Sequence, residues 1–149
     1  MINNELYTLI PNKSLGLFVF NQPLNNSIKY KHEVSFVEDD PDSPPFITFL
    51  FPEMEIEVTT LNKNGVDVIH DVWTEKACFL NDDNIIGMPI SVFKNRYGNP
   101  DMSDIIFLPR DDRQTHHVYD YDTLGLQLWT WRNRIVEIVA YDINSLGDE

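Results

Sequence analysis

Residues 56–69, IEVTTLNKNGVDVI, and residues 126–139, LQLWTWRNRIVEIV, write one pattern twice, 70 positions apart. Ile56 matches Leu126, Val58 matches Leu128 and Thr60 matches Thr130. Beyond the turn, Val66-Asp67-Val68-Ile69 matches Val136-Glu137-Ile138-Val139 without a gap. Alternation of apolar and polar residues on both sides of a polar turn marks an antiparallel hairpin with one buried face. Asn62-Lys63-Asn64-Gly65 and Arg132-Asn133 supply the turn chemistry.

A second correspondence lies upstream. Asn21-Gln22-Pro23-Leu24 is similar to Gly87-Met88-Pro89-Ile90 at an offset of 66, and the drift of four is the size of a loop-length difference. Proline is favoured at the first helical position, where its missing N–H costs nothing, so each unit is expected to open with a short helix. Ile90, Phe93 and Tyr97 lie at helical spacing, and Gly98 and Pro100 stop the run. In the first unit Leu24 and Ile28 stand one turn apart, weakened by Asn25 and Asn26. Strands follow at FITFLF (46–51), MEIEV (54–58), DIIFLP (104–109) and HVYDYD (117–122). The expected fold class is α+β, a single domain over residues 1–149. It would hold two pseudo-symmetric repeats, at about 16–75 and 82–143, each a short helix packed on an antiparallel sheet. The sheets would join edge to edge, or run as one with both helices on one face. A period this long exceeds the ~20–50 residues of solenoid repeats.

Charge narrows the partners. Eleven basic residues against 24 acidic ones give −13, spread over both halves of the chain. Such a field repels nucleic acid and anionic membrane and speeds encounter with a basic protein; its plainer effect is solubility. One stretch, Glu38-Asp39-Asp40-Pro41-Asp42-Ser43-Pro44-Pro45, is too rich in proline and charge for helix or central strand and is expected as an exposed loop. Cys78 is the single cysteine, so no intrachain disulfide can form. The first residues, MINNELYTLIPNK, lack a basic segment followed by an apolar one, and no run approaches the ~18 apolar residues of a spanning helix. A cytoplasmic protein is expected.

Gly87-Met88-Pro89-Ile90-Ser91-Val92-Phe93, with Tyr97-Gly98-Asn99-Pro100, resembles the helical element of the small β-lactamase-inhibitor proteins and the outer-membrane assembly lipoproteins. That group packs such a helix on an antiparallel sheet, and the inhibitors carry the unit twice. The resemblance spans roughly fifteen residues and the strand pattern after them. It implies an architecture and a protein-binding sheet, and it carries over no inhibitory residue. The chain departs from that group in lacking an export signal, a lipidation cysteine and a disulfide pair. In size, acidity, single cysteine and lack of catalytic motifs, the profile is also similar to cytosolic immunity proteins of bacterial toxin systems.

No phosphate-cradling glycine loop, G-x-S-x-G, H-E-x-x-H, C-x-x-C or EF-hand pattern occurs. Cys78, between apolar neighbours in WTEKACFL, reads as a buried, inert thiol. Asp111, Asp112, His116, His117, Asp120 and Asp122 hold enough ligands for a metal-dependent hydrolase. On a strand, however, His116 and His117 point to opposite faces. An alternating polar and aromatic strand is preferred there, and no cofactor, metal or catalytic residue is expected.

One strand remains to be explained. Residues 126–131 set Leu126, Leu128 and Thr130 on one side and Gln127, Trp129 and Trp131 on the other. Either these indoles are covered by residues 1–15 or 101–118, or they form an open patch rimmed by Arg132, Arg134 and Tyr121. Tryptophan, tyrosine and arginine dominate binding energy at interfaces. The leading expectation is a non-enzymatic immunity or antitoxin-type inhibitor that neutralises a basic effector protein, a nuclease being one candidate. Glu38, Asp39, Asp40, Asp42, Asp120 and Asp122 would mimic its anionic substrate, with Tyr121, Trp129 and Trp131 as anchors. Homodimerisation through the patch is equally sensible physically. A small-molecule or peptide site on the aromatic face is the alternative.

Overall fold

The computed structural model describes residues 4–24, 30–37, 46–107 and 115–145. A 3-10 turn, Asn4–Tyr7, leads into three short strands, β1 (Leu9–Ile10), β2 (Ser14–Leu15) and β3 (Phe18–Val19). Four longer strands follow: β4 (Glu33–Val37), β5 (Phe46–Phe51), β6 (Ile56–Lys63) and β7 (Val66–Thr74). The chain then repeats the order: a short hairpin of β8 (Phe79–Leu80) and β9 (Asp83–Asn84), helix α1 (Ile90–Tyr97), and β10 (Met102–Phe107), β11 (Thr115–Tyr121), β12 (Leu126–Trp131) and β13 (Arg134–Tyr141).

The long strands form one eight-stranded antiparallel sheet in the order β10-β11-β12-β13-β7-β6-β5-β4. Two four-stranded meanders therefore meet at a central seam, where Val72 faces Ala140 and Thr74 faces Ile138. The expectation of an α+β fold built from two helix-plus-sheet repeats is overturned. The protein is mostly β, 55% strand against 15% helix, and α1 is its one α-helix among the described residues. The helix expected after Pro23 falls largely on residues 25–29, outside the described residues.

Proline alone misleads here because it serves two roles in turn. Pro23 and Pro89 each make an isolated antiparallel bridge, to Val68 and Arg134. The flanking bonds also agree: Asn21 N–H to the Ile69 carbonyl (2.8 Å) and Gly87 N–H to that of Ile135 (2.7 Å). Ile69 and Ile135 return bonds to the carbonyls of Gln22 and Met88. The upstream correspondence thus marks a strand-like strap on the large sheet. After Pro89 the chain winds into α1, where Ile90 and Phe93 are buried, Lys94 and Arg96 suit the last turn, and Gly98 (φ 86°) donates to the Lys94 carbonyl.

Turn length sets the register. Asn64 and Gly65 (φ 54° and 87°), and Arg132 and Asn133 (φ 52° and 64°), are two-residue turns with both φ positive, the twist that hairpins favour. Both hairpins carry a bulge at the equivalent place, Thr59/Thr60 and Trp129/Thr130. Beyond it the first runs on to Lys63 opposite Val66, while the second closes at Trp131 opposite Arg134. The returning strands consequently correspond at 66 positions. Ile69 matches Ile135, which replaces the ungapped match to Val139. An even slip of four keeps the in–out alternation, so hydrophobic pattern cannot detect it.

One face of the sheet holds the core. Ile56, Val58, Leu126, Leu128, Ile135 and Ile138 are fully buried against Leu15, Phe18, Cys78, Ile85 and Phe93. Each such side chain contributes about 1.5–3 kcal/mol on leaving water. Asn12 ties the chain ends together: its Nδ2 donates to the Thr123 carbonyl (2.9 Å) and its Oδ1 accepts from Ile143 N–H (2.8 Å). Gly125 (φ 57°) sits beneath this knot, where a Cβ would strike the Tyr141 carbonyl.

Candidate binding face

The opposite face of the sheet is built by cross-strand rows. One row runs Leu50, Glu57, Trp73, Val139, Gln127, Asp120 across six strands. The next contains Glu137, Trp129 and Val118. Trp73 and Trp129 meet diagonally with ring centroids 5.6 Å apart, and the His116 ring stands edge-on to Trp129 at 5.7 Å. Such tilted aromatic pairs contribute about 0.5–1.5 kcal/mol beyond their buried area.

A chain of hydrogen bonds orients the indole. Trp129 Nε1 donates to Gln127 Oε1 (2.8 Å), which leaves Gln127 Nε2 to donate to Asp120 Oδ1 (2.8 Å). The donor-only indole fixes which way the amide points, and the acceptor carboxylate completes the relay. Trp131 is covered on one side by the Arg132 guanidinium, 4.3 Å from its ring. All three tryptophans are half-buried, neither sealed in the core nor fully open. Beside Trp73 lies a shallow groove of about 320 Å³ bordered by Leu50, Glu55, Glu57, Glu75 and Glu137. Lys76 pairs with Glu55 at 3.0 Å at the end of this groove.

The residues expected at the site do not all gather there. Trp129, Trp131 and Asp120 share the face. Tyr121 does not: it is buried on the core side, donates to the Gly98 carbonyl (2.9 Å) and packs 4.9 Å from Phe93. Burial pushes its hydroxyl up to about 12. Asp122 leaves the strand to open a 3-10 turn, and its N–H donates to Asp101 Oδ2 (2.7 Å). Desolvation, then the nearby Asp101 and Asp120, raises its carboxyl above the usual range. Arg134 turns to the Gly87 carbonyl (2.8 Å). Glu38, Asp39, Asp40 and Asp42, together with Asp111 and Asp112, lie outside the described residues.

His116 is buried and His117 exposed on opposite faces, as strand alternation requires. Among the described residues no three His, Cys, Asp or Glu side chains converge on a metal-sized site. Cys78 is buried, and desolvation pushes its thiol up to about 12. Among the described residues no helix is long and apolar enough to cross a membrane.

Trp73, Glu137 and His116 were not foreseen as part of this face. Alternation from Ile69 and Val72 is interrupted by the bulge, which hides the side that Trp73 takes. Its contact with Trp129 depends on the β7–β13 seam, a pairing between strands far apart in sequence.

No family model, curated protein or solved structure matches the chain, and nothing links it to the inhibitor, assembly-lipoprotein or immunity-protein groups.

Proposed function

We propose that this protein is a non-enzymatic, cytoplasmic binding module that captures a basic protein on the aromatic face of its large sheet, in the manner of an immunity-type inhibitor. One observation carries the reading: the Trp73–Trp129 pair stands half-buried among Glu57, Glu137 and Asp120 on the face opposite the core. Indoles held by packing and hydrogen bonds lose little entropy on binding, and carboxylates around them select a cationic surface. The net charge of −13 supports the same partner by steering its approach.

The test is affinity capture from the source cell with the intact protein and with Trp129→Thr. A basic protein retained at low salt, released at high salt and lost with Trp129→Thr supports the reading. Retention of no basic protein, or capture indifferent to Trp129, refutes it. A second reading, a small-molecule or peptide site, draws on the groove beside Trp73; a thermal shift with a neutral ligand, abolished by Trp73→Ala, would favour it instead. Homodimerisation through the face would appear as a concentration-dependent mass that Trp129→Thr removes.

A further inference from the structure

One edge of the large sheet is β10, and it is apolar on both faces. Met102 is 67% exposed, Ile105 61% and Phe107 61%. Its outer side pairs with no strand among the described residues. Edge strands of stable monomers are ordinarily blunted by lysine, proline, a bulge or a short length. Met102–Phe107 contains no lysine or proline and pairs with β11 over all six residues without a register shift. Its single charge is Asp104, whose carboxylate accepts from the Ile105 N–H (2.8 Å). Asp101 precedes it, and Asp120 and Asp122 stand at the same end. Lys94 is the neighbouring cation, turned onto the Tyr119 ring 4.7 Å away.

We propose that β10 is an addition edge for an extended, basic segment of a partner protein, with alternate apolar side chains meeting Ile105 and Phe107 and a lysine or arginine meeting Asp104. In strand addition, main-chain bonds give affinity and alternate side chains give specificity. An incoming carbonyl takes over the Ile105 N–H, which releases the Asp104 carboxylate for the incoming cation. The charge of the edge argues against a second copy of this chain as the occupant. Antiparallel self-pairing over these residues would bring two Asp104 carboxylates to within about 8 Å, and like charges across strands destabilise. The partner's sign rests on the reading of the protein as a binder of basic proteins. Asp104 shares the cross-strand row of Val118 and Trp129, but the edge binds through the outward main chain of β10 and not through the indoles, so the two can fail separately.

The experiment is an amide NMR titration of the full chain with a peptide of about eight residues alternating valine and lysine, and with a valine–glutamate counterpart. The expected result is shifted, exchange-protected amides at Ser103–Phe107, binding that weakens with salt, and no response to the glutamate peptide. Asp104→Lys, an exposed change whose remaining spectrum reports intact folding, should weaken the lysine peptide about tenfold and admit the glutamate one. Equal binding of both peptides, no change at β10, or changes confined to Trp73 and Trp129 overturns the proposal. So does a peptide-free dimer in sedimentation that protects the same amides, which would make a second copy the occupant. Loss of peptide binding with capture by the Trp129 face intact removes the edge alone.

Discussion

At Ile56, Val58 and Thr60 on β6, and at Leu126, Leu128 and Thr130 on β12, the two halves of the large sheet turn equally buried residues to the core. Even the threonines repeat one bond, Oγ1 to the Ile47 carbonyl in one half (3.3 Å) and to that of His117 in the other (2.8 Å). Between them the halves part company: Glu57, Thr59 and Leu61 against Gln127, Trp129 and Trp131. Close packing tolerates little change of volume or polarity on the inner face. The outer face is free of that constraint, and there β12 carries two indoles where β6 carries none. The difference lies on the side where packing does not dictate the residue, which is the side proposed for binding.

The largest effect should come from breaking what the halves share. Ile56→Ala and Leu126→Ala remove equivalent, fully buried side chains, and each should cost about 3 kcal/mol in urea unfolding, with an unchanged slope. A variant that costs almost nothing would show that the halves do not contribute alike to one core. Trp129→Thr gives the second half the residue of the first, and should weaken capture of the basic partner about 30-fold, or about 2 kcal/mol. Thr59→Trp should leave that affinity unchanged. Titration calorimetry with the captured protein separates the two.

Phe51 and Tyr121 occupy equivalent core positions, and Tyr121→Phe erases their one difference. At neutral pH it should cost about 1 kcal/mol, the bond to the Gly98 carbonyl. With the hydroxyl raised to about 12 in the folded protein, against an ordinary 10.0, the unfolded chain loses this proton first. The stabilisation is therefore complete below pH 10 and is lost as pH rises towards 12. Denaturation curves through that window should fall less steeply for Tyr121→Phe. The smallest effect concerns the short hairpins, where Lys13 and Cys78 offer equivalent carbonyls, to Phe20 N–H (2.9 Å) and Ile85 N–H (2.8 Å). Cys78 is buried with its thiol raised to about 12, so a thiol reagent should label it no faster than the protein unfolds.

Much of the sheet was legible because its signals are local. The β6–β7 and β12–β13 hairpins follow from alternation and from their turns, and α1 follows from Ile90, Phe93, Tyr97 and Gly98. The overall class was not. Pro23 and Pro89 look like helix starts within a short window, yet both also strap the chain to the sheet. Of the site, Trp129, Trp131 and Asp120 were legible from period two alone. Tyr121 was drawn to the wrong side because the strand's two faces carry similar polarity, His116, Val118 and Asp120 against His117, Tyr119 and Tyr121.

What the sequence by itself determined is which residues alternate, where hairpins turn, and a net charge of −13. Those properties depend on neighbours within a few positions and on simple counts. Only the tertiary structure decided that β7 joins β13, that Trp73 therefore reaches Trp129, and that β10 is left as an edge. Those outcomes depend on pairings between distant strands, and an alternating strand fits many partners equally well until packing on the core face selects one.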